Sequence, residues 1–342
     1  MTLSLKTSLL PRTLEASAKA LAAGSPEDWW HEARERGLFS LFRLQRQLGS
    51  RWLSRSFSEQ DIATASFCRS AYPVLPSLPW QCDLDGEAIE ELLSGRLSVF
   101  GQPWQWTADG SCWHQAPDTG RAWPRRFFPN IPVHTGNPSG DARMIWEPSR
   151  LQHLVTLGLI AQKADPSIRA RAVAAVESQF LSWVATNPLL SGVHYVAPME
   201  CALRLLASCY ALDLIRSWMQ QPRQVWGALL TLVSGHAELI RKRLALRSPI
   251  PHETLAGSAA LVYAGSLFPE MEQAERWLAF GLYLLEEETS RHISQDGGSQ
   301  EQGLGYLHFS SDLYGLVVAL LDHQQRPLPE KVRQAFNRSR AF

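Results

Sequence analysis

The sequence has no Cys-x-x-Cys pair. Its five cysteines, Cys68, Cys82, Cys112, Cys201 and Cys209, are odd in number and scattered, which indicates neither a disulfide framework nor a zinc site. No clustered ligands or cofactor fingerprint stand out, so neither a metal nor a cofactor is expected. There is also no excess charge of either sign: 33 Lys plus Arg face 33 Asp plus Glu. That balance argues against a broad nucleic-acid footprint and leaves room only for a local basic cleft. No apolar run is read as reaching the length of a membrane span. Lys6, Arg12, Glu15 and Lys19 interrupt the N-terminus, so no signal peptide is read and the cytoplasm is the default compartment. Nothing in the chain fixes an oligomeric state.

What is present is a globular composition, 45% hydrophobic and 19% charged, which excludes disorder. Trp is frequent, with 13 residues. Aromatic rings can stack on flat sugar faces or fill a core, and composition alone favours the core. Residues 1–60 read as helical and amphipathic, with Trp29, Trp30, Leu38, Leu41 and Leu44 among Arg and Glu. Nine prolines between Pro73 and Pro138 rule out long helices across most of 70–145. Within that stretch, residues 97–106 suit a small hairpin, and the whole reads as a wrapping segment.

From Met144 onward the pattern is helix after helix. One is expected over Trp146–Leu157 with Pro148 in its first turn. Others are expected over Pro166–Trp183, from Pro198 to Trp218, and over about 222–246, 254–265 and 270–292, then from Tyr306 and from Pro329. Short loops and the lack of strands between them predict an all-α body, an incomplete (α/α) toroid of antiparallel helical hairpins. The expected division is a helical and Pro-rich lead-in over 1–90 and the toroid over 91–342.

Polar residues fall on these apolar helices. Trp146, Arg150, His153 and Leu157 form one stripe if the helix is continuous, with Glu147 three residues before Arg150. Glu200 and Arg204 are four apart. These charges either pair within their helices, or the two guanidinium groups line an inner cleft and meet a carboxylate or sulfate. Pro251 stiffens the chain before His252, and Glu253 is placed to orient the imidazole. Without that role, His252 is a surface or helix-capping histidine. Asp296-Gly-Gly-Ser-Gln-Glu-Gln302 is a glycine-rich polar loop, and it re-enters a helix at Tyr306, two residues before His308. Tyr306 either caps a core face or stands at the mouth of a cleft.

Four segments together carry a family likeness. Met144-Ile-Trp-Glu-Pro-Ser-Arg-Leu-Gln-His-Leu-Val155, Pro198-Met-Glu-Cys-Ala-Leu-Arg-Leu205, Ala264-Gly-Ser-Leu-Phe-Pro-Glu270 and Asp296-Gly-Gly-Ser-Gln-Glu-Gln302 with Tyr306 occur in order. Over roughly residues 90–330 they resemble the heparinase II/III-like polysaccharide lyases. The resemblance implies an (α/α) toroid followed by a β-sandwich, with an acidic polysaccharide or oligosaccharide between them. It also implies β-elimination at a uronic acid, and export to the periplasm or outside as the alternative compartment. That chemistry needs the carboxylate neutralised, a base at C5 and an acid at the leaving oxygen.

Carried over by position, Tyr306 is the proton-transfer residue and His252 stands beside the carboxylate. Arg150, Glu200, Arg204, Gln302, His308 and Glu253 position sugar or hold the cleft. The pattern is broken in three places. Ile250 and Pro251 stand where the family has asparagine, and one extra residue lies between His252 and Leu267-Phe-Pro269. Leu307 stands where a histidine often follows the tyrosine. Phe342 falls within the helical pattern, so no β-sandwich is expected within these residues. The alternative functional readings are a binding module without turnover, or a fragment of a longer lyase.

Overall fold

The computed structural model describes residues 26–50, 56–80, 82–134, 136–246, 248 and 250–342. The expected helical character of residues 1–25 and 51–55 lies outside them. Two compact units are present, 1–48 and 49–342. In the first, the described part is helix α1 (Pro26–Gln47).

The second unit opens with short pieces. These are α2 (Glu59–Thr64), started by a reciprocal Ser58–Asp61 cap, then α3 (Ser66–Arg69) and α4 (Gly86–Leu93). The expected hairpin follows as β1 (Arg96–Val99) antiparallel to β2 (Gln102–Gln105), with Leu97 opposite Trp104. Phe100 and Gly101 both take positive φ in its two-residue turn, the geometry that matches strand twist. Extended chain without a sheet partner must find other acceptors and donors for its backbone. Here the buried Asp213 carboxylate accepts from the amides of Val74 and Leu75 at 3.0 and 2.9 Å. Arg216, paired with Asp213, donates to the carbonyls of Phe67 and Ser70 at 2.8 and 2.9 Å.

The body is four helical hairpins: α6 (Gln152–Lys163) with α7 (Pro166–Thr186), α8 (Pro198–Ile215) with α9 (Pro222–Arg243), α10 (Pro251–Leu267) with α11 (Ala274–His292), and α12 (Leu304–His323) with α13 (Glu330–Ala341). Helices α6, α8, α10 and α12 touch in sequence, and so do α7, α9, α11 and α13. This is the inner-and-outer layering of an incomplete toroid, as expected. Alternation places the N-termini of the four inner helices on one rim. Proline in the first turn starts α7, α8, α9 and α10, where a missing N–H costs nothing.

Residues 254–267 of α10 are all buried, and a helix apolar all round belongs in a core. It lies close against α11 because Gly265 has no side chain. A Cβ there would meet the Ala274 carbonyl at 2.4 Å.

Two expectations need correction. The helix expected over Trp146–Leu157 is two helices, α5 (Ala142–Ser149) and α6, separated by Leu151 at φ 61. Pro148 therefore sits near the end of α5, not in a first turn, and the four-residue stripe is interrupted. The second concerns membrane length: α12 is long and apolar enough to cross a membrane by length and composition. Within the fold it packs on α10 and α13.

Candidate active site

His252 is the second residue of α10, on the rim formed by the inner-helix N-termini. Its backbone is fixed from below by His292, at the end of α11. The Pro251 carbonyl can only accept, so His292 Nε2 carries the proton given to it at 3.0 Å. His292 Nδ1 then accepts from the Tyr314 hydroxyl at 3.0 Å. Burial pushes the His292 imidazole down to about 4, so it stays neutral and keeps this tautomer. On the other side, Arg291 donates to the Ser248 carbonyl at 2.9 Å.

The partner of the His252 ring comes from the polar loop. Glu301 Oε1 lies 2.8 Å from His252 Nδ1. The carboxylate accepts, so Nδ1 carries hydrogen and Nε2 is turned away from it. The sequence pointed to Glu253 for this role; the structure places Glu301 there instead. The loop is shaped by Gly297 at φ 97, where a Cβ would meet the Arg338 carbonyl at 2.3 Å, and by Gln302 at φ 56. Amide-to-carbonyl bonds from Ser294 to Gly298 and from Gln300 to His292 hold it on the end of α11.

Tyr306 is the third residue of α12. Its ring lies 5.4 Å from the His252 ring, tilted by 35°. Tyr306 is 44% exposed, and the side chains of His252 and Glu301 are 22% and 20% exposed. Phenol, imidazole and carboxylate are thus gathered in one open place. Gln302 and His308 are exposed beside them in sequence, and Glu253 is half-buried.

The second group of expected residues joins the end of α5 to the start of α8. Arg150 makes a two-point contact with Glu200, 2.9 Å at each oxygen, and meets Glu147 at 2.6 Å. Burial works against the Arg150 charge, but the two carboxylates outweigh it and hold the guanidinium charged. The expected Glu200–Arg204 pairing does not form. Arg204 is fully buried and turns to the Ser149 carbonyl at 2.6 Å, His236 Nε2 at 3.0 Å and the Trp183 ring at 4.1 Å. Glu200 is also fully buried. Arg204 therefore holds α5 and α9 together; it does not reach the cleft surface.

Reading the sequence missed Glu301 as a functional candidate, although it sits in the singled-out loop. It also missed His292, whose role depends on contacts made across the fold. Among the described residues no cluster is suited to a metal ion.

Residues 123–334 match the family model described as heparinase II/III N-terminus. Three solved structures share the fold. A structure of heparinase III gives a TM-score of 0.55 at 14% identity, over 88% of this chain and 44% of its own. A heparan sulfate lyase HepC mutant from Pedobacter heparinus gives 0.52 at 19%, over 97% and 46%. A heparinase III gene product with methylated lysines gives 0.53 at 16%, over 80% and 42%. The chain thus spans less than half the length of each. No curated protein matches it.

Proposed function

Because the chain belongs to the heparinase II/III N-terminus family, we propose that it supplies the toroid half of a polysaccharide lyase acting on a uronic-acid-containing acidic chain by β-elimination. The observation carrying this reading is the juxtaposition of the Tyr306 and His252 rings, 5.4 Å apart and open to solvent, with Glu301 on the imidazole.

In this reading the imidazolium of His252 faces the sugar carboxylate through Nε2–H while Glu301 holds Nδ1–H. That donor stands in for the family asparagine, since neither the Ile250 side chain nor Pro251 can donate. Neutralising the carboxylate makes the C5 proton acidic enough to remove. Tyr306, as phenolate, takes that proton. The C5–H electrons form the C4=C5 double bond, the C4–O4 bond breaks, and the phenol returns the proton to O4. Arg150, half-buried between Glu147 and Glu200, holds the rim and borders the cleft. Glu200 and Arg204 hold the cleft from inside, and Gln302, His308 and Glu253 are candidates for sugar contacts.

The test is incubation with heparan-like, alginate-like and bacterial surface polysaccharides, following the ultraviolet absorbance of the 4,5-unsaturated end. One of them should yield that product, and Tyr306→Phe should lose it. Product formed by the variant at the wild-type rate would remove the tyrosine from the mechanism. An oligosaccharide bound in calorimetry and never cleaved would replace turnover with binding.

A further inference from the structure

A second polar hollow, of about 320 Å³, lies between the end of α11, the 293–300 segment and α13. Its chemistry differs from that of the His252 site. Lys331 and Arg338 bring two cations, Gln295, Gln300 and Gln334 bring three amides, and none of the described lining residues is a carboxylate. Lys331 is 3.9 Å from Glu286 and from Glu287, so part of its charge is answered. Arg338 has no such answer. Its Nε is buried without a hydrogen-bond partner among the described residues. The side chain as a whole is half-buried and lines the hollow, so the rest of its guanidinium is open to a water or a ligand that supplies an acceptor.

We propose that this hollow binds a sugar-sized ligand through an oxyanion, a carboxylate or sulfate seated on Arg338. The volume lies in the range of small-molecule sites, and guanidinium is the cation whose forked donors match such oxygens. The three amides offer donors and acceptors together, as sugar hydroxyls require. Occupancy has a mechanical result. Gln300 is adjacent to Glu301, and its backbone N–H donates to the His292 carbonyl at 3.1 Å. A ligand spanning Arg338 and Gln300 would fasten the loop that holds the His252 ring. The site is separate from the lyase reading and stands whether or not turnover occurs.

Calorimetric titration of the full chain with sodium glucuronate and with inorganic sulfate tests it. Both should bind saturably and compete. Arg338→Ala should weaken both by about tenfold or more, Arg338→Lys less, and His252→Ala by only a small fraction of that, because the loop loses one anchor while the hollow keeps its own side chains. Should Arg338→Ala fail to fold, Lys331→Glu, altering a side chain that is 63% exposed, reads the same site and should also weaken binding. The proposal is overturned by the absence of saturable binding to the wild type, or by wild-type affinity in the Arg338 and Lys331 variants. Binding of sulfate with glucuronate excluded overturns the sugar-sized ligand. Loss of binding in His252→Ala would move the ligand to the other site.

Discussion

Two regions of this protein use the same kinds of side chain to opposite ends. Beneath α8, Arg204, His194, His236, Tyr195 and Trp183 form a polar knot, each member nearly or fully sealed from solvent. On the rim, His252, Glu301 and Tyr306 are also in contact, but water reaches all three. In the knot, burial first and the Arg204 charge second push His194 and His236 well below the ordinary histidine range. Those rings are neutral packing elements. The comparison teaches that imidazole and phenol mark a site only where a ligand can reach them and a fixed partner sets their hydrogen.

The contrast can be broken by substitution. The largest effect belongs to the rim: Tyr306→Phe should lower product formation by about a thousandfold while thermal melting stays near the wild-type temperature. In the knot the outcome reverses. Arg204→Ala strips the Ser149 carbonyl and His236 of a donor and opens a void, and should destabilise by about 3 kcal/mol in urea titration.

Acid should weaken the buried histidines without needing any substitution. His114 and His292 are each held at about 4 by burial, against 6.5 when free. Above 6.5 they are neutral in both states and their contribution is complete. As pH falls from there through about 4 the unfolded chain gains protons first, so stability drops. Urea midpoints at pH 7 and pH 5 should show that fall, and equal midpoints would deny the burial.

A smaller change sharpens the comparison: Glu301→Ala should cost about tenfold or more in turnover, yet about 1 kcal/mol or less in stability, as expected of a partly exposed pair. The smallest concerns His308, exposed and one place beyond the family position. His308→Ala should leave melting unchanged and lower turnover less than threefold or so.

Much of the fold could be read from local chemistry. Asp165-Pro166 and Pro198 each announce a helix start, and alternating loops and apolar stretches give the hairpins, whereas the helix expected from 254 begins already at Pro251. The break at Leu151 was not legible, because a leucine at φ 61 is imposed by the surrounding fold and not by its own preference. At the site, Tyr306 and His252 could be named from the chain and are found together. Glu301 was hidden in plain view, since a partner 49 residues away competes invisibly with the neighbouring Glu253. The same holds for Glu200: an i, i+4 spacing suggests Arg204, but the two-point contact with Arg150 takes both of its oxygens.

The latch formed by Asp213 and Arg216 carries a practical lesson about where this molecule can be cut. A shortened clone beginning at residue 91 would keep both charged groups and discard the amides and carbonyls of residues 67–75 that satisfy them. Residues 67–75 are therefore held by buried charges of the helical body, and anyone trimming the protein for crystals or assays should leave them attached.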